Sequence, residues 1–310
     1  MIQHSQRTSE RRYRSVIETT FGRARRAHRD FSNDYYDDDG WWALAWIAAF
    51  DLTGDARYLD LARALFDGMA AGWDDVCGGG LWWTRRKTYK NAIPNELFLL
   101  IAGRLHQRVG GYLDWARREW QWFQSSGLIG PAGLVNDGLT ADCANNGRTT
   151  WTYNQGVIIA ALAVLSEITD DDALLDQADA IATAALRDLT VPSGILTEPG
   201  ERQTRRRDRD RPQFKGIFVR HLYELHQHRP RPAYRDFILA NATSLWQHSR
   251  NHRNQIGLSW TGPFDRPDAV RQTAALDTLN AALAVADETR PALPSIIEQL
   301  LEKLWSIEVY

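Results

Sequence analysis

The stretch Asn33-Asp34-Tyr35-Tyr36-Asp37-Asp38-Asp39-Gly40-Trp41-Trp42 holds the densest chemistry in the chain. Three consecutive carboxylates stand among four aromatic rings, just before a run that is apolar on every side. A single Asp there is explained by helix capping and the helix dipole. Three are not, because adjacent acids repel and an aromatic wall strips them of water. Adjacent carboxylates suit glycoside hydrolysis, which needs one acid ionised and one protonated. The helix N-terminus would keep one anionic. Its charge and the Trp surroundings would raise the other, so that the pair titrates as a unit. Sequence neighbours also sit close together, which favours the short separation of a retaining mechanism.

Rival chemistries fail on spacing. A calcium loop with Gly40 at its sixth position would need an acid at Tyr35 and a Glu at Trp46. A DDxxD diphosphate motif starting at Asp37 would need an acid at Trp41. No HExxH occurs, and His221, His226 and His228 lack its spacing, so they are expected to be partly exposed helix residues. No metal and no organic cofactor is expected. The run 202–211 (RQTRRRDRDR) interleaves Asp with Arg and lacks a Gly-rich cradle, so it is expected to be a solvated loop.

The elements that hold these residues are expected to be helical. The chain has 310 residues, 44% hydrophobic and 25% charged, which are globular values. Its net charge of −2 gives no basic excess for nucleic acid. The 13 Trp outnumber the Tyr and the Phe, and an indole face suits sugar rings. A short phrase recurs at Tyr13, Tyr58, Tyr112, Leu174 and Tyr234, and each copy opens an amphipathic helix. Between them lie segments apolar nearly all round, at 40–50, 95–105, 153–165, 214–225 and 272–286. A helix apolar on every side is buried on every side. With a last helix at 293–307 there are about eleven. Alternating outer and inner helices close most simply as an all-α (α/α)6 toroid, a single domain over 1–310. The loops before the inner helices, at 34–40, 73–93, 127–152, 190–213 and 251–271, would then share one rim.

No window is long and apolar enough for a transmembrane helix. The N-terminus as given shows no apolar leader segment, so a cytoplasmic location is expected, or a secreted one if the N-terminus is truncated. Cys77 and Cys143 are too few for a disulfide framework. Two reduced, buried thiols are expected, with one bridge as the alternative.

These blocks bring a family into view. Residues 34–46 resemble the catalytic segment of glycoside hydrolase family 76, the endo-α-1,6-mannanases. Further blocks similar to that family follow in order: Cys77–Trp83 and Tyr89–Phe98, then Asn136–Leu139, Trp151–Gly156 and Gln213–Arg220. The resemblance runs from about residue 10 to 287. It implies the (α/α)6 barrel and a retaining endo-α-1,6-mannosidase acting on α-1,6-mannan or its oligosaccharides. It implies Asp37 as nucleophile, Asp38 as acid/base and Asp137 as an acid contacting the sugar. Trp41, Trp42, Trp82, Trp83 and Tyr153 would stack on mannose rings or serve as core. Asn91, Asn154 and Gln155 would bond hydroxyls or tie down loop backbone. Asp39 matches no catalytic position and is expected to cap the helix. Cys77 and Cys143 both fall in matched loops and would be neighbours across the rim. Relatives carry a further inner helix before the segment matching 13–26, so the toroid is expected to lack its first inner helix. Transglycosylation by the same intermediate and a non-catalytic mannan-binding protein remain as alternatives. Sugar epimerases of this shape use His bases, which the rim loops here mostly lack.

Overall fold

The computed structural model describes residues 2, 5, 13–27, 31–201 and 209–287. Ten α-helices lie among them: α1 Arg14–Ala27, α2 Tyr36–Thr53, α3 Ala56–Ala70, α4 Ala92–Val109, α5 Leu113–Ser125, α6 Thr152–Thr169, α7 Asp172–Asp188, α8 Phe214–His228, α9 Pro232–His248 and α10 Ala269–Asp287. The expected helix at 293–307 and most of the Arg-rich run fall outside the described residues. The chain forms two compact units, 1–181 and 182–310, with the division inside α7.

In the first unit α4 packs against both α2 and α6, while α3 packs on α2 and α5 on α4. The alternation read from the sequence is therefore present. α6 is buried without interruption from Thr152 to Ser166, whereas α3 buries one stripe, Tyr58, Leu59, Ala62, Leu65, Phe66 and Met69. Helix ends are fixed locally. Gly54 (φ 73°) closes α2 by donating its N–H to Phe50 O, and Asp55 caps α3 by accepting from Arg57 N–H at 3.0 Å. Two inner helices begin earlier than read from the sequence, at Tyr36 rather than 40, where the first turn holds the three acids, and at Ala92 rather than 95.

In the second unit α8 packs on α10, and α9 contacts both. Gly216 allows the close approach of α8 to α10, since a Cβ there would lie 2.4 Å from Ala274 Cα. His221 and His226, expected to be partly exposed, are buried. His226 Nδ1 accepts the Arg231 N–H beyond the end of α8, which satisfies a buried ring.

Three outer helices run into the same miniature hairpin, at 128–136, 189–197 and 249–257. Single bridges pair Ile129 with Val135, Thr190 with Leu196 and Arg250 with Ile256. The turn residue is Gly133, Gly194 or Asn254, each with φ between 58° and 80°. Buried hairpin backbone needs partners, and side-chain amides supply them. Val135 N–H donates to Gln155 Oε1 at 2.7 Å, Leu196 N–H to Asn241 Oδ1 at 2.9 Å and Ile256 N–H to Gln272 Oε1 at 3.2 Å. Asn95 does the same for Leu81, accepting its N–H and donating to its carbonyl.

Cys77 and Cys143 are joined in a disulfide with Cα atoms 5.2 Å apart. The expectation of two reduced buried thiols is overturned, and both residues are half-buried. Each sits in a turn with left-handed backbone, φ 57° and 63°, and the two turns face each other. The expected Cα proximity holds. The bridge spans 66 residues of sequence, a loop for which the chain-entropy model gives about 4 kcal/mol. Cys143→Ser is expected to lower the melting temperature clearly under non-reducing conditions, and the denatured wild-type protein to titrate no free thiol. Two free thiols in the wild type would contradict the bridge.

Candidate active site

The site is assembled from the first turns of α2, α4 and α6. A ladder of backbone contacts ties their loops together. Tyr36 N–H donates to Trp83 O, Arg85 N–H to Asp34 O, Trp83 N–H to Tyr89 O, and Ala92 N–H to Asp137 O, all within 3.0 Å. Single bridges join Tyr35 to Thr84 and Asn91 to Gly138. Asp37 and Asp137 thus stand at the same end of the first unit.

The three carboxylates have three fates. Asp39 is 1% exposed and accepts from Arg85 Nη2 at 2.6 Å, with Ser32 Oγ and Asn33 N–H each donating at 3.4 Å. It does not cap α2, because no side chain caps that helix. The capping expectation is corrected for a simple reason: at the fourth helical position its carboxylate points back to the preceding loop. Asp38 is exposed and receives the Asn33 side-chain N–H at 2.7 Å. Asp37 is half-buried, and its Oδ1 is out of solvent with no hydrogen-bond partner. Burial, reinforced by the charge of Asp38, pushes Asp37 up to about 7, while the Trp83 indole pulls it back in part. The acid whose proton affinity is raised is thus Asp37, the residue that the family resemblance makes the nucleophile, and its neighbour Asp38 stands in solvent.

Asp137 is held by aromatic donors. Tyr89 O–H donates to its Oδ2 at 2.6 Å and Trp151 Nε1–H to its Oδ1 at 3.0 Å, while Asn146 donates to the Tyr89 oxygen. Gly138 follows because a Cβ there would lie 2.4 Å from the Tyr89 hydroxyl. Behind Asp137, Glu96 on α4 is fully buried, and burial together with the Asp137 charge pushes it well above the usual carboxylate range.

The remaining candidates divide. Trp83 is exposed and stands edge-on to Tyr35. Trp41 lies one turn after Asp37, on the same face of α2. Tyr153 is buried in the first turn of α6. Asn91 Oδ1 and both amide atoms of Asn154 are buried at the starts of α4 and α6 with no partner. Three candidates have partners within the protein. Gln155 spends its amide on Val135 N–H, Val135 O and Trp151 O. Trp42 stacks on Trp46, which stacks on Tyr58, in an aromatic column. Trp82 is pinned by its N–H to Asp74 at 2.7 Å, with the Lys90 ammonium 4.9 Å from its ring. Sequence reasoning missed Arg85, Tyr89, Trp151 and Asn146 as site residues. Tyr89 and Trp151 stand inside the matched blocks, but Arg85 looks like one of a solvated Arg-Arg-Lys run. Among the described residues no cluster of three or more His, Cys, Asp or Glu is placed to hold a metal, and no helix is long and apolar enough to cross a membrane.

Adjacent carboxylates at an inner-helix start, beneath a tryptophan-bearing rim, define a site of the glycoside hydrolase class. The model of glycosyl hydrolase family 76 matches residues 1–293, and the chain belongs to that family. Mannan endo-1,6-alpha-mannosidase DCW1 of Saccharomyces cerevisiae is 32% identical over 204 residues, covering 60% of this chain but 45% of that protein. The chain therefore spans about half the length of this curated relative. Among solved structures, the Lin0763 protein of Listeria innocua is similar with a TM-score of 0.85 at 28% identity, covering 94% of this chain and 84% of that one. The GH76A alpha-1,6-mannanase of Salegentibacter sp. HEL1_6 gives 0.80 at 26%, covering 92% and 86%. An inactive variant of that enzyme, with two neighbouring aspartates changed to asparagine, was solved with alpha-1,6-mannotriose. The fold class is accordingly all-α, of the α/α toroid type.

The raised Asp37 carries a sign for stability. A carboxyl whose folded value lies above its unfolded 3.8 stabilises the fold below that value, and the contribution is lost as pH rises to about 7. Asp37→Asn removes the loss, so it is expected to stabilise the protein at pH 8 by about 1–3 kcal/mol and to gain little at pH 4. Thermal melts at the two values check this; equal shifts would refute it. Asp39→Asn leaves the half-buried Arg85 guanidinium without its counter-charge. It is expected to cost about 3 kcal/mol in urea unfolding.

Proposed function

We propose that the protein is a retaining endo-α-1,6-mannosidase acting on α-1,6-linked mannan or its oligosaccharides. One observation carries the reading: of three consecutive aspartates, the fold withdraws Asp39 into an ion pair and leaves Asp37 and Asp38 as an adjacent pair. The Salegentibacter mannanase variant changed at two adjacent aspartates is inactive, which supports the same pairing here. Asp37 attacks the anomeric carbon as the glycosidic C–O bond breaks, and Asp38 gives its proton to the leaving oxygen. A water then loses a proton to Asp38 and attacks the same carbon, freeing Asp37.

Burial pushes Asp37 up to about 7, yet a nucleophile must be ionised. Positive charge developing at the anomeric carbon favours the Asp37 anion, so the proton passes to Asp38 as the sugar is engaged. Asp137, oriented by Tyr89 and Trp151, accepts from sugar hydroxyls. Trp41, Trp83, Tyr153, Asn91 and Asn154 complete the contact set, with no cofactor in the chemistry. The disulfide supports an oxidising location outside the cytoplasm.

Asp37→Asn and Asp38→Asn are each expected to reduce reducing-sugar release from linear α-1,6-mannan by about a thousandfold or more with the circular dichroism unchanged. A 2-deoxy-2-fluoro-α-mannobiosyl fluoride is expected to leave a mannobiosyl ester on Asp37, read by peptide mass. An ester on Asp38 would exchange the two roles. Binding of mannan without turnover by the wild type would select the non-catalytic reading.

A further inference from the structure

Asn33 lies in the short loop before α2, and three of its polar groups are engaged at once. Its side-chain oxygen accepts the Tyr35 N–H at 2.7 Å, which makes an Asx turn. Its side-chain N–H donates to Asp38 Oδ2 at 2.7 Å, and its backbone N–H donates to Asp39 Oδ1 at 3.4 Å. The loop itself is fixed from behind. Phe31 is buried with φ 70° and sets its ring against Phe21, Trp42 and Trp46. Ser32 Oγ accepts from Arg85 Nη2 at 2.7 Å, and Asp34 O accepts the Arg85 N–H at 2.9 Å.

The chemistry of these contacts calls for an amide. The Tyr35 N–H needs an acceptor and the Asp38 carboxylate needs a donor, and the two ends of one amide supply one each. A carboxylate in the same place would meet Asp38 with a like charge. Asp38 is exposed, so water competes for the same oxygen. The amide has the advantage of being held already, because its other end is fixed to Tyr35. An acid/base must give a proton in one step and take one back in the next. With Oδ2 occupied by Asn33, Oδ1 is the oxygen left to carry that proton. An N–H also bonds a carboxylate more strongly than a neutral acid, so it favours release of the proton.

We infer that Asn33 is the positioning residue of Asp38, holding Oδ2 so that Oδ1 exchanges the proton with the leaving oxygen and then with the incoming water. This rests on the proposed hydrolase reading and on Asp38 as its acid/base. Asn33 acts on the reaction through Asp38.

A residue that acts through the acid shows a dependence on the leaving group that a merely structural one does not. A sugar leaving group needs a proton from Asp38, whereas fluoride departs as a stable anion. Against wild type, Asn33→Ala is expected to lose at least about 10-fold in kcat/KM on α-1,6-mannotetraose and to stay within about 3-fold on α-mannobiosyl fluoride. Asn33→Asp keeps the acceptor for Tyr35 N–H and replaces only the donor, and it should lose at least as much on mannotetraose. Equal losses on both substrates, no loss in Asn33→Ala, or wild-type rates in Asn33→Asp would overturn the inference. The side-chain amide signal of Asn33 in proton–nitrogen NMR spectra separates the two levels. It is expected to shift as Asp38 ionises and to lose most of that shift in Asp38→Asn. If the wild type cleaves neither substrate, the proposed activity falls. The hold of Asn33 on Asp38 still stands if the amide shift depends on Asp38, and it falls if Asp38→Asn leaves that shift unchanged.

Discussion

Arg85 reaches from the loop after Trp83 to the carboxylate of Asp39 at 2.6 Å, where Asp39 is almost wholly withdrawn from water. Burying a carboxylate is tolerable only with such a partner, and removing either one strands a charge. The pair therefore fixes the first turn of α2 against the 81–85 loop. The same guanidinium stacks 4.4 Å from the Tyr36 ring and donates to Ser32 Oγ at 2.7 Å, so the chain before the helix is held as well. Once Asp39 is anchored, helical geometry alone aims Asp37 and Asp38 elsewhere. The raised proton affinity of Asp37 then follows from its burial beside Asp38.

A similar device recurs at the start of two other inner helices. Ahead of α4, Lys90 is 2% exposed and donates to the carbonyls of Val76, Gly79 and Gly80 and to Asp74, organising the loop that ends in Trp83. At the start of α8 in the second unit, Lys215 is fully buried, pairs with Glu201 at 2.6 Å and donates to Leu258 O at 2.8 Å. In each case one desolvated charge collects the orphaned carbonyls or acids of a loop that has little regular structure of its own. Loops of this length stay precise because their backbone polar groups are satisfied from the scaffold.

Asp137 shows what such precision provides. Its two oxygens accept from a phenol and an indole, which fix the orientation of the carboxyl group. Tyr89 approaches so closely that the next residue has room only for Gly138. A local turn would explain an Asp-Gly pair equally well. The nearby phenol identifies which explanation applies.

Much of the fold was legible because burial leaves a periodic trace. α6 reads as apolar on every side and is buried on every side, and the one-sided pattern of α3 matches its single buried stripe. The acid triplet was legible as chemistry because three adjacent charges exceed what capping requires. What each acid does was decided only in three dimensions, since Arg85 lies 46 residues from Asp39 along the chain and nothing local marks it. The same holds for Gln155, Trp42 and Trp82. Amides and indoles serve sugars, loop backbone or core equally well, and the neighbours that choose among these uses come from distant segments. Residue type and periodicity determined the helices and marked the adjacent carboxylates as candidates; long-range partners determined which side chains are spent within the protein.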